Sequence, residues 1–499
     1  MSRLEEHSRS PRQDLTSGLT AKYACTASSK LDYAEILEYQ ERKKRRNTAR
    51  SQTTDTVSLR FADSQRPVEG HPAIDQVSFP AVYFLDSNVF QQDELEIPRP
   101  QLPIPSYVKN IIGDVNTMHE YAAEFFDSIH FWWPIISRRR FFKHLLNPLT
   151  SPRADVALLC LSIKISTWKP QDEHQSPRTV AYSAVKRYFL ELEMQGVLTL
   201  QALQAGILIC LYEVGHALYP SAYLTIGTCA RYGISMGLDK IALLSFQHTS
   251  GWLEAEEMKR AWYVTLGNIT RSLATPNPQA SDTLPVDDNV WDEGGKFPPQ
   301  TFPLSSSSTL YTGRFARLAQ ATYLLGLTLE HSSNHDPNQP SCIEEARQLC
   351  RTIRSLMWLI DVEGRLRNLP LCPTNALCYM SLYTLHCLYI TQVDPTLRQD
   401  DNIEDLVGEI IEYGSTLAKA AISYEDDMSK IISPFILHLL YRSAALIFGT
   451  SYEPGKNFER LEEMKKGLFK MSKKWRLASS YLDILRAQEF SYYGIKSVS

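Results

Sequence analysis

The chain has 499 residues, 43% hydrophobic and 22% charged, with 27 Pro, 22 Gly and a formal net charge of −4. This composition permits a sizeable core and excludes collagen-like and wholly disordered chains. Arg3, Glu5, Glu6 and Arg9 interrupt any secretory apolar stretch, and runs such as Ala157–Leu161 and Gly206–Tyr212 fall far short of the ~18 residues a membrane span needs, so secreted and membrane-spanning classes are set aside.

Residues 1–60 hold 12 Lys/Arg against 8 Asp/Glu, a net of +4, which leaves −8 for the remainder. Residues 1–30 are rich in Ser, Thr and Arg without apolar periodicity, and 1–60 as a whole is expected to be a disordered basic arm. A short helical pattern at Leu31–Arg46 runs into Arg42-Lys43-Lys44-Arg45-Arg46, followed by Arg50. Residues 61–106 carry Pro80, Pro98, Pro100, Pro103 and Pro105, which forbid regular helix and give an extended tether.

From Asn116 the pattern becomes helix after helix. Met118, Tyr121, Ala122, Phe125, Phe126 and Ile129 recur at three- and four-residue steps. Further windows fall at about 138–147, 153–168, 178–195, 199–218, 220–237, 252–272, 310–331, 341–361, 371–392, 402–423, 428–449 and 456–490. Pro148, Pro152, Pro170, Gly196, Pro220, Gly237, Pro337, Pro340 and Pro373 separate them. Residues 275–309 form an irregular insert marked by Pro276, Pro278, Pro285, Pro298, Pro299, Pro303 and Gly294-Gly295. No stretch alternates with a period of two. The fold class is all-α: a large domain of antiparallel helix pairs over 107–450, C-terminal helices over 451–499, and a disordered N-terminal tail.

Three segments carry a family likeness. Phe125-Phe126-Asp127-Ser128-Ile129-His130-Phe131-Trp132-Trp133-Pro134-Ile135-Ile136 is the first, and Ala222 through Tyr232-Gly233-Ile234-Ser235-Met236-Gly237-Leu238-Asp239 is the second. Glu254 to Trp262, ending in Arg260-Ala261-Trp262, is the third. In order and spacing they resemble the fungal-specific transcription factor domain, the middle homology region of fungal zinc-cluster regulators. Two departures stand out. The family's Asp-Arg pair, before a Gly-Arg-Pro-like turn, is missing, and Trp262–Asn268 reaches Ala274-Thr275-Pro276 several residues sooner. A zinc cluster also needs six thiolates around two zinc ions, whereas residues 1–159 contain only Cys25, so no zinc and no other cofactor is expected.

The resemblance implies a nuclear transcriptional regulator, pathway-specific for a secondary-metabolite gene cluster. Its partners would be DNA, met directly or through a partner regulator, a second copy or a relative in a dimer, and the transcription machinery; no membrane is expected. A rival reading is a co-regulator or inhibitor that pairs with an intact zinc-cluster relative. Arg42, Lys43, Lys44, Arg45, Arg46 and Arg50 are candidates for nuclear import or DNA phosphate contact, against the bland reading of a solvated charge run. Phe125, Phe126, Trp132, Trp133 and Phe141 could line an effector pocket between helices, though rings so spaced more often form core.

Other constellations read as structure. Gly233-Ile234-Ser235-Met236-Gly237 matches a nucleophile elbow, the sole support for a remote helical-enzyme reading. Its surroundings have helical spacing, with Gly237 where a helix cap belongs. Cys372, Cys378, His386 and Cys387, and the His331–His335 pair, lack the spacing of a closed metal site. Nine cysteines, an odd number, suit reduced thiols of an intracellular protein.

Overall fold

Apolar residues at three- and four-residue spacing need a second surface to bury against, and the sequence offers only more helices to supply it. The computed structural model describes residues 102–496, apart from 147–151, 173–174, 241–250, 266–274, 276, 296–298, 307–311, 335–338, 368–372, 393–405, 424–431 and 450–453. The basic run Arg42–Arg46, Arg50 and nearly all of the proline-rich segment lie outside the described residues. Among those described there is no β-strand, only an isolated bridge between Thr283 and Pro303 in the insert.

The first half comprises α1 (Ser106–Ile112), α2 (Val115–Asp127), α3 (Ile129–Trp132), a short α4 (Arg138–Arg140) running into a π-turn (Phe141–Leu145), α5 (Ala154–Ser166), α6 (Val180–Met194), α7 (Leu200–Gly215), α8 (Ser221–Ser235) and α9 (Trp252–Thr265). Short polar side chains start several of them. Asp114 accepts from Thr117 N, Thr179 from Tyr182 N and Thr199 from Ala202 N, each satisfying an amide the helix leaves unpaired. α5 and α7 form the centre. Every residue of α5 except Lys164, and every residue of α7 except Val214, is buried. Such helices have no solvent face, so α1, α2, α6, α8 and α9 surround the pair. Glu213, fully buried on α7, is neutralised by Lys186 Nζ at 3.0 Å and accepts from Tyr182 Oη at 2.8 Å.

The insert carries α10 (Asp288–Glu293). The second half follows as α11 (Arg314–Asn334), α12 (Pro340–Arg367), α13 (Pro373–Gln392), α14 (Leu406–Ser423), α15 (Pro434–Gly449), α16 (Pro454–Ser472) and α17 (Leu477–Lys496). Pro340, Pro373 and Pro434 each stand at the first helical position, where a missing amide hydrogen costs nothing. Here α11, α12 and α13 pack together, α14 joins α15 and α16, and α17 lies on α15 and α16.

Two windows differ from expectation. The segment expected as one helix over 138–147 is a single α-turn followed by a π-turn. The single window 456–490 is two helices, broken between Ser472 and Leu477. The break turns Lys474, Trp475 and Arg476 toward the first half. Lys474 Nζ donates to Ser166 O at 3.3 Å and Trp168 O at 3.4 Å, and Arg476 donates to Gln175 O at 2.7 Å. Burial, aided by the charge of Lys169, pushes the Lys474 ammonium down to about 7. Trp475 lies so close to Gly215 that a Cβ there would stand 2.1 Å from the indole ring. The two halves are therefore joined by packing and by hydrogen bonds as well as by the chain. No described helix is long and apolar enough to cross a membrane.

Candidate functional site

The three segments of family likeness meet around α9. Arg260 is completely buried, a position that an unpaired guanidinium could not hold. Every arm of it is used. Nε donates to Glu256 at 3.0 Å, Nη1 to Asp288 at 2.8 Å and to Pro134 O at 3.2 Å, and Nη2 to Val286 O at 2.7 Å. The guanidinium also lies 4.1 Å from the Trp291 ring centroid and 5.0 Å from that of Phe315, a cation–π sandwich. Burial opposes its charge, but Asp288 and Glu256 outweigh that and raise its pKa. Arg260 thus ties the Trp133-Pro134 segment to the insert and to α11.

Trp262, two residues on, packs on the second segment. A Cβ at Gly233 would stand 2.8 Å from the Trp262 ring, so only glycine permits this approach. A third connection runs through Glu257, 1% exposed. It accepts from Ser137 N at 2.9 Å and Gln204 Nε2 at 3.0 Å, and pairs closely with Arg140. Gln204 also donates to Ile135 O at 2.8 Å. Burial raises the Glu257 pKa, and Arg140 restrains the rise. The family-like segments are therefore held together by hydrogen bonds at Arg260 and by packing of Trp262 on Gly233.

A cleft open to solvent lies beside this hub. Ile207, Cys210, Leu211 and Val214 of α7 line one side, with Ala222, Tyr223 and Ile226 of α8; Trp133 and Val264 close the end. Pro434, Phe435 and His438 of α15, with Leu477 and Tyr481 of α17, form the facing wall. No Asp, Glu, Lys or Arg lines it. Its built polar feature is an imidazole–phenol pair: His438 Nδ1 and Tyr481 Oη are 2.7 Å apart. Tyr441 stacks on Tyr481 at 4.5 Å and 6°, holding the phenol in place. His438 Nε2 is buried without a hydrogen-bond partner. Burial, reinforced by Arg442, pushes the His438 imidazole down to about 3, so it is neutral near pH 7.

Of the five aromatic residues singled out from sequence, Trp133 lines this cavity. Phe125 and Phe141 are completely buried, and Phe126 nearly so. Phe126 meets Phe125 at 5.2 Å and Phe141 at 5.6 Å, edge to face. Trp132 stacks on Trp133 at 5.5 Å, and the edge of Phe435 meets both. The basic residues Arg42, Lys43, Lys44, Arg45, Arg46 and Arg50 lie outside the described residues. Phe435, His438 and Tyr481 escaped the sequence reading. The signal available was a lone histidine in the apolar run Ile436-Leu437-His438-Leu439-Leu440, which marks a buried polar group but not its partner.

Ser235 is the last residue of α8 and Gly237 follows at φ +73°, the left-handed turn that ends a helix. The strand-to-turn setting of a nucleophile elbow is not there. Cys378 and His386 are buried on α13, and His331 Nδ1 pairs with Glu345 at 3.0 Å. Among the described residues no three His, Cys, Asp or Glu side chains gather as a metal site would require.

Comparison with known proteins agrees with this geometry. The family model described as "Fungal specific transcription factor domain" matches residues 122–266, which span all three meeting segments. A stretch of 179 residues is 33% identical to transcription factor BOA15 of Botryotinia fuckeliana (strain B05.10), covering 36% of this chain and 98% of that protein. No solved structure matches the chain. With its signature residues gathered around Arg260 and Trp262, and with a relative matched over nearly its whole length, the chain belongs to the fungal-specific transcription factor domain family.

Proposed function

We propose that this fungal transcriptional regulator acts in the nucleus on the genes of one secondary-metabolite pathway, through its helical domain. The observation that carries the reading is the hub itself: Arg260 donates to Pro134 O and pairs with Asp288, and Trp262 packs against Gly233, so residues of all three family segments are assembled in one place. A hub of buried charge keeps its shape only when every partner is present, which suits a domain that restrains or relays activity. The pathway assignment rests on the family resemblance.

Deleting the gene and profiling transcripts tests it. One set of biosynthetic genes should change together and recover with the wild-type chain but not with Arg260→Ala. Transcripts that do not respond, or that change without relation to any pathway, would refute it. Nuclear entry is assigned to the basic run: changing Arg42–Arg46 to alanine in a fluorescent fusion should reduce nuclear accumulation, and equal accumulation would refute that role. For DNA, each phosphate contact made by the run contributes about −0.9 to the logarithmic salt slope. A slope unchanged by the substitution would assign DNA contact to a partner regulator.

A further inference from the structure

We propose that the junction between the two halves, where Lys474 and His216 are enclosed together, is a proton-sensitive latch: it closes when both side chains are neutral and opens as they take up protons. The proposal does not rest on the reading as a pathway regulator and would stand without it.

The geometry sets the sign. Lys474 sits in the break between α16 and α17 and is 2% exposed. Its Nζ donates to Ser166 O at 3.3 Å and Trp168 O at 3.4 Å, two carbonyls at the end of α5, both beyond the ideal hydrogen-bond distance. The Trp475 ring, 5.0 Å from Nζ, adds a cation–π contact. Glu124 on α2 favours the charge, but that carboxylate is partly exposed and already paired with Lys169 at 3.2 Å, and Lys169 opposes the charge. An ammonium enclosed on these terms gives up hydration that neutral carbonyls only partly replace, whereas a neutral amine can keep both hydrogen bonds.

His216 meets the same junction from the end of α7. It is buried, and neither ring nitrogen has a hydrogen-bond partner. Tyr212, Trp168 and Trp475 enclose the imidazole, with ring centroids at 4.4, 5.0 and 5.5 Å. An imidazolium there would hold two donors with nothing to accept them. Lys474 and Arg476 add positive charge around it, and Arg476 is itself held by Gln175 O at 2.7 Å. Among the charged groups that bear on the pair, Lys169 and Arg476 oppose a proton and Glu124 favours one.

The titrations agree with the geometry. In the closed junction burial, aided by Lys169, pushes Lys474 down to about 7, and burial, aided by Lys474, pushes His216 down to about 3. Once the junction opens to water the ordinary values of about 10.4 and 6.5 return. Between about pH 10.4 and 7 the open form therefore binds a proton at Lys474 that the closed form refuses, and between about pH 6.5 and 3 it does the same at His216. Both windows have one sign: raising the pH favours closure and lowering it favours opening. The Lys474 window reaches down to neutrality, so the junction responds there and not only in acid. Opening would part α5 and α7 from the start of α17, while Arg260 still ties Pro134 to the insert.

The test is hydrogen exchange of the full chain, read by mass spectrometry over residues 472–478, with each rate divided by the unprotected rate at the same pH. The amides of Lys474, Trp475 and Ala478, which donate to Met471 O and Trp475 O, report closure. Their protection should fall about fiftyfold from pH 9 to 7, through Lys474, and about fiftyfold again from pH 7 to 5, mostly through His216. Lys474→Met should abolish the first fall and leave most of the second; His216→Phe should abolish most of the second and leave the first. Circular dichroism establishes that each variant is folded, and Lys474→Gln is a second neutral replacement if Lys474→Met does not fold. Residues 256–264 around Arg260 should not follow the same course. Protection over 472–478 that is independent of pH in the wild-type chain would overturn the proposal whatever the variants do. So would a fall from pH 9 to 7 that survives in the neutral variants, or an equal fall over 256–264, which would make the effect global unfolding.

Discussion

The Arg260 hub and the His438 cavity adjoin, share Trp133-Pro134, and solve the burial of polar groups in opposite ways. At the hub four acceptors and two aromatic rings surround one guanidinium. At the cavity one imidazole is half satisfied, and the space around it is apolar. A fully satisfied network in a low-dielectric interior fixes one geometry, because removing any member strands the others. At the cavity the buried Nε2 of His438 stays unpaired, so that pair lacks the mutual support that fixes the hub. The same fold thus contains a fully satisfied joint and a half-satisfied pair side by side.

The comparison breaks most severely at Arg260. Replacing it by alanine takes the closest cation from two buried carboxylates, leaving Glu256 only Lys259 at 3.5 Å and Asp288 only Arg314 at 3.9 Å, a change that costs about 3–5 kcal/mol. Urea unfolding should show a large fall in midpoint or an aggregated product; a midpoint within experimental error of wild type would mean the hub is not cooperative.

Acid should act through two buried histidines. Burial pushes His438 and His216 down to about 3, reinforced by Arg442 for His438 and by Lys474 and then Arg476 for His216. Their unfolded values lie near 6.5, so between about pH 6.5 and 3 the unfolded chain binds protons that the folded chain refuses. Their contribution is intact above pH 6.5 and is lost as the pH falls. At pH 5 the loss is about 2 kcal/mol for each histidine. Denaturant midpoints at pH 7 and pH 5 measure it, and the pH dependence should shrink in His438→Phe and in His216→Phe.

Gly215→Ala probes the joint between the halves. The new methyl would meet the Trp475 ring, so overpacking of about 1–3 kcal/mol is expected. Limited proteolysis should then cut between Ser472 and Leu477 faster than in wild type; unchanged cleavage would show that Trp475 does not hold the halves together. The smallest effect belongs to the cavity. His438→Phe exchanges a half-satisfied ring for an apolar one, and near pH 7 its stability should stay within about 1 kcal/mol of wild type. A loss as large as that of Arg260→Ala would place His438 in the structural network and remove the contrast.

Helical periodicity and proline positions were enough to locate most of the described helices, though not α1 or α10, because both signals act within a few residues along the chain. The family-like segments were also legible, Arg260-Ala261-Trp262 among them, though not why they go together. The burial of Arg260 depends on Asp288 and Val286, which sit in an insert that reads as irregular. The window over 456–490 shows the limit most plainly. Lys473-Lys474-Trp475-Arg476 reads as a helix continuing on its polar face, yet Trp475 is completely buried against Gly215 and donates to Ile432 O at 2.7 Å. Local preference for helix there is worth tenths of a kcal/mol per residue, less than the burial of an indole.

By itself, then, the sequence determined the fold class, the order of the helices and the family, since all three are written in residue type and spacing. Tertiary structure decided which buried charges are paired, which aromatic residues are core and which line a space, and where a helix must break. Those outcomes turn on which residues, 43 to 308 positions apart, share a few ångströms. Lys474 beside Ser166, His438 beside Tyr481 and Pro134 beside Arg260 carry no local signal of one another, because desolvation and hydrogen bonding act through space and not along the chain.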